Sequence, residues 1–112
     1  MKGRKTGPEA AIRLIGLAAR AGSAVPGTER VRSAARRGEL AFALVAEDAS
    51  HNTMDKLLPL LRAKGVAYVV RFSRAELGAA VGRAPLGALG VTDASLAGRV
   101  RALLADEPEA EA

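Results

Sequence analysis

Residues 40–46 read LAFALVA, seven consecutive apolar residues. A run this short and this apolar indicates a strand that is buried on both faces of a sheet. Residues 66–70, VAYVV, have the same character, and a segment with helical periodicity, from about residue 52 to residue 64, lies between the two runs. Strand, helix and strand in that order imply a crossover connection and a sheet with helices on both sides. The stretch from residue 40 to residue 70 therefore indicates an α/β fold.

Helical and strand patterns alternate along the rest of the chain as well. We predict helices over residues 8–21, 28–37, 52–64, 73–81 and 93–104, and short strands at 24–25 and 88–92 beside those at 40–46 and 66–70. The predicted fold class is α/β, a single-domain three-layer α/β/α sandwich with a short mixed sheet of about four strands. We expect residues 1–7 to form a basic flexible N-terminus, residues 8–104 the folded domain, and residues 105–112 an acidic disordered tail.

Local signals set several of the predicted helix ends. Thr28 and Asp93 are predicted N-caps, and Ser73 with Glu76 forms a capping-box pattern. Glycines that suit helix C-termini follow the first three helices: Gly22, Gly38 and Gly65. Pro59 falls inside the third helix, where a proline removes a hydrogen bond, so we expect a kink there or two shorter helices.

The composition excludes several classes of functional site. The chain has no cysteine, which rules out a disulfide scaffold, a thiol nucleophile and a cysteine zinc site. A single histidine, His51, rules out a multi-histidine metal site, and the glycine-rich motifs of nucleotide-binding loops do not occur. We therefore expect no metal and no cofactor. The three aromatic residues (Phe42, Tyr68 and Phe72) are too few for an RNA reader that stacks bases on a platform of rings.

Positive charge is concentrated in the first third of the chain. The first 37 residues hold nine Lys or Arg and two Glu, whereas the last ten hold four acidic residues and no basic one. A polyanion such as RNA is the natural partner of a small basic domain, although many small proteins are equally basic and bind nothing. Arg13 and Glu9 interrupt the apolar N-terminal stretch, and no apolar run is long enough to span a bilayer. We therefore expect a cytoplasmic monomer without a membrane segment.

The predicted helix over residues 28–37 separates an apolar side from a polar one. Val31, Ala34 and Ala35 share the side that is expected to pack on the sheet. The polar side holds four guanidinium groups, those of Arg30, Arg32, Arg36 and Arg37. Gly27 permits a close backbone approach, and the free N–H groups at a helix start favour an anion. The pattern fits a phosphate-binding helix and equally an ordinary solvated helix face.

Short motifs in a fixed order give the chain a family resemblance. They are LAARAG at 17–22, Gly27-Thr28, LVAEDAS at 44–50 with Asn52-Thr53, LPLL at 58–61, KGV at 64–66, and SRAELG at 73–78 with Val81-Gly82. Together they resemble the ribosomal protein family of the L7Ae and L30e type, from about residue 12 to residue 104. The resemblance implies a three-layer α/β/α domain without catalytic activity, in a family whose members typically bind kink-turn RNA.

The resemblance implies a first RNA contact at the start of the second helix. Archaeal relatives there read Gly-Thr-Asn-Glu-x-x-Lys, and the matching positions in this chain are Gly27, Thr28, Glu29, Arg30 and Ser33. The Gly-Thr pair is kept, but the family's Glu and Lys, which resemble a matched pair reading tandem sheared G·A pairs, are replaced. Arg30 could contact guanine edges or phosphate, and Arg37, one helical repeat further on, could replace the missing Lys charge.

The resemblance implies a second RNA contact in the loop after the fourth helix. Relatives there lay small apolar residues against an extruded base, and this chain has Arg83, Ala84, Pro85 and Leu86, followed by Gly87. Arg83 offers a phosphate contact, and Pro85 and Leu86 offer an apolar surface. The same residue types are equally common in a simple connecting loop.

The sequence therefore favours a non-catalytic RNA-binding protein associated with ribosomal or other structured RNA. An alternative is a protein-interaction module of a translation or RNA-processing complex that does not bind RNA directly. A third hypothesis is a small hydrolase that uses Glu47, Asp48 and His51. Because adjacent residues of a strand point to opposite faces, we expect the two carboxylates to be separated, with Asp48 capping the following turn together with Ser50 and Asn52.

Overall fold

The computed structural model describes residues 6–105 and contains five helices and four strands within them. The helices are α1 (Gly7–Arg20), α2 (Thr28–Arg36), α3 (His51–Ala63), α4 (Arg74–Ala80) and α5 (Ala94–Ala105). The strands are β1 (Ala24–Pro26), β2 (Phe42–Val45), β3 (Tyr68–Val70) and β4 (Ala88–Val91). Most of the two predicted tails, residues 1–5 and 106–112, lies outside the described residues. None of the described helices is long and apolar enough to cross a membrane.

The four strands form one mixed sheet in the order β1-β4-β2-β3. Strand β2 pairs with β3 in parallel, and β4 pairs antiparallel with both β1 and β2. Strands β1, β2 and β3 therefore run in the same direction and end at one edge, where β4 begins; we call this the carboxyl edge. Helices α2, α3 and α4 each follow one of these three strands, so their N-termini lie at the carboxyl edge. The opposite end of the sheet, where α2 and α3 end, is called the amino edge.

Helices cover both faces of the sheet. On one face, α1, α4 and α5 pack in a cluster that includes Leu14, Ile15, Phe42, Leu44, Leu77, Leu89 and Val100. On the other face, α2 and α3 pack in a cluster that includes Val31, Ala35, Ala43, Val45, Leu57 and Leu61. Successive residues of β2 alternate between the two clusters and all four are buried, as expected of an inner strand. The predicted three-layer sandwich with a four-stranded mixed sheet is confirmed.

Several predicted helix ends are present in the structure. The Ser73 hydroxyl accepts a hydrogen bond from the Glu76 amide at 3.0 Å, and the Glu76 carboxylate accepts one from the Ser73 amide at 2.8 Å. The Asp93 carboxylate accepts a hydrogen bond from the Leu96 amide at 2.9 Å, which caps α5. The glycines that follow α1, α2 and α3 have positive φ values: Gly22, Gly38 and Gly65. Left-handed glycines of this kind end helices without strain.

Helix α3 continues across Pro59 as a single helix of 13 residues. Ser50 is its N-cap, and the Ser50 hydroxyl accepts a hydrogen bond from the Thr53 amide at 3.1 Å. The side of α3 that faces the sheet is anchored by the fully buried Leu57 and Leu61, whereas Pro59 lies exposed between them. The expectation of two shorter helices is therefore wrong, because the packing of this apolar side offsets the hydrogen bond that Pro59 cannot donate.

The position of the loop before β4 depends on a glycine inside α4. A Cβ atom at Gly78 would lie 2.8 Å from the carbonyl oxygen of Arg83 and closer still to that of Ala84. We predict that Gly78→Ala lowers the free energy of unfolding by about 1–3 kcal/mol, because the loop backbone must shift to make room. Urea denaturation measures this change.

The matched control is Gly98→Ala in α5, where an added Cβ meets no atom within 4 Å. Alanine is a better helix former than glycine, so this variant should raise the free energy of unfolding by about 0.5–1 kcal/mol. Equal effects at the two positions would contradict the described contact between α4 and the loop.

Candidate nucleic-acid interface

Helix α2 begins at the carboxyl edge with a glycine cap. Gly27 is the N-cap, with φ of 103°, and Thr28 is the first helical residue. The prediction of Thr28 as N-cap is therefore wrong; the Gly27 amide donates to the Ala88 carbonyl at 2.9 Å, and this bond to β4 sets where the helix starts. Gly27 has no side chain to accept from the first turn, in contrast to Ser50 at α3 and Ser73 at α4. The first amide groups of α2 are thus available to an external acceptor.

The loop of residues 83–87 lies against the start of α2. A Cβ atom at Gly87 would lie 2.7 Å from Thr28 Oγ1 and 3.7 Å from Thr53 Cγ2 of α3. The Gly87 carbonyl accepts a hydrogen bond from the Ala46 amide at 2.9 Å, which holds the loop at the end of β2. The structure therefore brings together the two segments that the resemblance indicated, and it does so through Gly87, which the sequence analysis did not include among the site residues.

The loop exposes only part of its predicted apolar surface. Arg83, Ala84 and Pro85 are exposed. Leu86 is half-buried and packs against the core cluster of α1, α4 and α5, and its amide donates to the Arg74 carbonyl at 3.0 Å. Pro85 and Ala84 are thus the apolar loop residues that a partner can reach, while Leu86 anchors the loop.

One of the four arginines on the polar side of the predicted helix over residues 28–37 does not face solvent as predicted. The side chain of Arg32 is only 20% exposed, and its Nη1 atom lies 3.0 Å and 3.2 Å from the two carboxylate oxygens of Glu29. Its Nε atom is buried without a hydrogen-bond partner among the described residues. Arg32 therefore neutralises Glu29 at the site, which removes the repulsion that a free carboxylate there would exert on phosphate.

Arg37 lies at the far end of α2 and is engaged by neighbouring side chains. Its Nε and Nη2 atoms donate to the two carboxylate oxygens of Glu39 at 2.9 Å and 3.0 Å, and its Nη1 atom donates to the Ser33 hydroxyl at 2.6 Å. Helix α2 has nine residues and spans about 14 Å, so Arg37 belongs to the amino edge. The structure thus places Arg37 away from the Gly27–Arg30 segment and joins it to Ser33, which lies one helical turn beyond Arg30.

Two further carboxylates at the carboxyl edge also face arginines. Glu47 lies 3.9 Å from Arg71, and Asp48 lies 3.7 Å from Arg74. Asp48 also accepts a hydrogen bond from the Arg74 amide at 2.8 Å, so it binds the start of α4 and not the following turn as predicted. Two exposed arginines at this edge, Arg30 and Arg83, have no ion pair with a carboxylate anywhere in residues 6–105.

The residues of the hydrolase hypothesis do not form a common site. Glu47 and Asp48 each face a different arginine. His51 is exposed at the first position of α3, one residue before the predicted start of that helix. No group of three or more potential metal ligands occurs in the described part of the chain. The arrangement favours the binding of an anion: open amide groups at the start of α2, with Arg30 and Arg83 as unpaired cations.

Comparison with known proteins adds an independent finding. Residues 9–99 match the ribosomal protein L7Ae/L30e/S12e/Gadd45 family. The chain is 35% identical to the RNA-binding protein YlxQ of Bacillus subtilis (strain 168) over 91 residues, which cover 81% of this chain and 91% of that protein. It is similar to a solved structure of a protein of unknown function from Bacillus halodurans, with a TM-score of 0.81, 31% identity, and 86% of this chain and 97% of that chain covered.

A more distant structure has the same fold. It is the 15.5 kD RNA-binding protein of Giardia lamblia, with a TM-score of 0.73, 22% identity, and 90% of this chain and 92% of that chain covered. At this level of identity the likeness concerns the arrangement of helices and strands. It agrees with the three-layer architecture described above.

The Arg37–Glu39 pair leads to a prediction about titration. The hydrogen bonds that Arg37 donates lower the pKa of Glu39 below its ordinary value. We predict that Arg37→Gln returns the pKa of Glu39 toward that value, as measured by carboxyl-carbon NMR titration, whereas Arg36→Gln leaves it unchanged. Because the pKa is lowered in the folded state, the stabilisation is complete above the ordinary pKa and is lost as the pH falls through the folded-state pKa. An unchanged pKa of Glu39 in Arg37→Gln would contradict the described pairing.

Proposed function

The chain belongs to the ribosomal protein L7Ae/L30e/S12e/Gadd45 family, and from that premise we propose that it binds structured RNA at the carboxyl edge of its sheet. Membership of this family confirms the resemblance identified in the sequence. It also confirms the prediction of a non-catalytic protein. The relative from Bacillus subtilis is named as an RNA-binding protein, which supports the same class of partner for this chain.

The observation on which the proposal rests is the contact between Gly87 and Thr28. It places the exposed loop residues beside the uncapped start of α2, so that one ligand can touch both. RNA presents phosphates, which accept from open helix amides and from arginines, and unstacked bases, which need an apolar surface. The carboxyl edge offers both kinds of contact within one short stretch of surface.

The exposed residues of the two segments then have defined roles. The amide groups of the first turn, beginning at Thr28, and the guanidinium groups of Arg30 and Arg83 bind phosphate oxygens or guanine edges. Pro85 and Ala84 contact an unstacked base. Glu29 acts only through its ion pair with Arg32. The Ser33 hydroxyl lies one helical turn beyond Arg30 and accepts a hydrogen bond from Arg37, which itself lies at the far end of α2.

We extend the proposal to RNA with a kink-turn-like internal loop in a ribosomal or other ribonucleoprotein particle of the cytoplasm. The Gly27-Thr28 pair of the family is retained and forms the helix start. The family's Glu and Lys positions hold Arg30 and Ser33, so hydrogen bonding to tandem sheared G·A pairs must differ. We therefore propose preference for a kinked internal loop without strict reading of those two base pairs.

One observation favours the alternative of a protein-interaction module. Two of the four arginines on the polar side of the predicted helix over residues 28–37 are neutralised internally, since Arg32 binds Glu29 and Arg37 binds Glu39. This alternative would be favoured if a protein partner stayed bound to the chain after nuclease treatment and the chain itself showed no measurable affinity for RNA.

The proposal predicts the effect of removing two charges. Arg30→Gln/Arg83→Gln should weaken binding to an RNA hairpin that contains an internal loop with tandem G·A pairs. The slope of log affinity against log salt should fall by roughly 0.7–0.9 for each phosphate that the variant no longer neutralises. Fluorescence anisotropy at several salt concentrations measures both quantities.

The matched control is Arg13→Gln/Arg99→Gln, which removes two exposed charges from α1 and α5 and changes the net charge equally. If the two double variants bind the hairpin with equal affinity and equal slope, the proposed site is misplaced. The kink-turn part of the proposal is separately contradicted if the wild-type protein binds a fully paired hairpin of the same length as tightly as the hairpin with the internal loop.

A further inference from the structure

Helices α2 and α3 both end at the amino edge of the sheet. Both helices begin at the carboxyl edge and pack on the same face of the sheet, so they end at the same edge. Arg36 and Arg37 lie at the end of α2, and Arg62 and Lys64 lie at the end of α3. Four basic side chains are therefore placed at one end of the α2–α3 layer.

Three of these four side chains have no carboxylate partner among residues 6–105. Within residues 36–41 and 62–67, which comprise these helix ends and the segments that follow them, Glu39 is the one acidic residue, and Arg37 binds it. Arg36 and Lys64 are exposed and make no ion pair with any described residue. On the other face of the sheet, at the start of α5, the Asp93 carboxylate accepts a hydrogen bond from the Leu96 amide and makes no ion pair with these basic side chains.

Arg62 is held in place by an aromatic residue and not by an acid. Its Nε atom donates to the Tyr68 hydroxyl at 3.1 Å, and its guanidinium carbon lies 5.9 Å from the centre of the Tyr68 ring. Both contacts leave the positive charge uncompensated while they restrict the side chain. A restricted, uncompensated guanidinium loses little conformational entropy when it binds an anion.

The ends of α2 and α3 at the amino edge have one carboxylate beside them, that of Glu39, and so fewer than the carboxyl edge. At the carboxyl edge, the side chains of Glu29, Glu47 and Asp48 each face an arginine. Basic residues in the last turn of a helix do interact favourably with the helix dipole, by about 0.3–1 kcal/mol each. That interaction leaves the outward-facing charge of the cluster intact, and a cluster of like charges favours a polyanion.

We propose that Arg36, Arg62 and Lys64 form a second RNA-binding surface, which contacts the phosphate backbone of the RNA that the carboxyl edge holds. This inference rests on the proposed function, since it extends the same ligand along the molecule. The two edges are separated by the length of α2, about 14 Å, a distance that a short stretch of RNA backbone covers. The amino edge lacks the open helix start and the loop, so it contributes affinity and salt dependence without reading sequence.

The experiment uses the full chain and a hairpin with the internal loop whose stem is extended by one helical turn. The variant is Arg36→Gln/Lys64→Gln, which leaves the Arg62–Tyr68 contact intact. We expect weaker binding to the extended hairpin and a salt slope lower by roughly 0.7–0.9 for each phosphate released from the amino edge. The control Arg13→Gln/Arg99→Gln should bind with the wild-type slope, and thermal unfolding should show that all variants remain folded.

The outcomes separate this inference from the proposed function. If Arg36→Gln/Lys64→Gln binds the extended hairpin like the wild type, while Arg30→Gln/Arg83→Gln binds it more weakly, the second surface is overturned and the first stands. If the wild type binds no RNA, both are overturned. If Arg36→Gln/Lys64→Gln binds RNA like the wild type but is no longer retained on polyglutamate, the RNA assignment is overturned in favour of an acidic polypeptide.

Discussion

A single backbone hydrogen bond, from the Gly27 amide to the Ala88 carbonyl, joins the start of α2 to the start of β4. It exists because β4 lies between β1 and β2 and runs antiparallel to both, so that the chain entering β4 passes the point where β1 ends. The loop before β4 is thereby held beside α2, although the two are far apart in sequence. Gly87 then fits against Thr28 because it has no side chain. The candidate site is a consequence of this strand order.

The elements of the fold could be predicted because each depends on local signals. The apolar run at 40–46 contains the buried strand β2, the Ser73–Glu76 pattern is a capping box, and left-handed glycines follow the first three helices. The N-cap of α2 was predicted one residue late, at Thr28 and not at Gly27, because the hydrogen bond from Gly27 to β4 determines it and not the side chain of Thr28. The left-handed backbone of Phe72, with φ of 73°, could not be predicted because local sterics disfavour it in a bulky residue and tertiary packing imposes it.

The residues of the candidate site were easier to predict than their electrostatic state. Helical periodicity placed four arginines on the polar side of α2, but it did not indicate that Arg32 folds back on Glu29 or that Arg37 reaches past the helix end to Glu39. Asp48 and Arg74 are 26 positions apart, so no sequence pattern joins them. Once these pairs are recognised, exposed arginines without a carboxylate partner among residues 6–105 remain at both edges, Arg30 and Arg83 at one and Arg36 at the other, while further unpaired arginines lie elsewhere, such as Arg13 on α1 and Arg99 on α5. A ligand that bridges the two edges would use the first two groups and leave the charges of α1 and α5 outside the interface.

The claim that the start of α2 and the 83–87 loop act together is tested most directly by NMR titration of the labelled protein with the hairpin that contains the internal loop. The amide signals of residues 28–30 should shift together with those of residues 83, 84, 86 and 87, over the same range of RNA concentration and with the same apparent dissociation constant, because one ligand contacts both segments. Tight binding of the hairpin with those amide signals unmoved, or with only one of the two segments affected, would contradict the account.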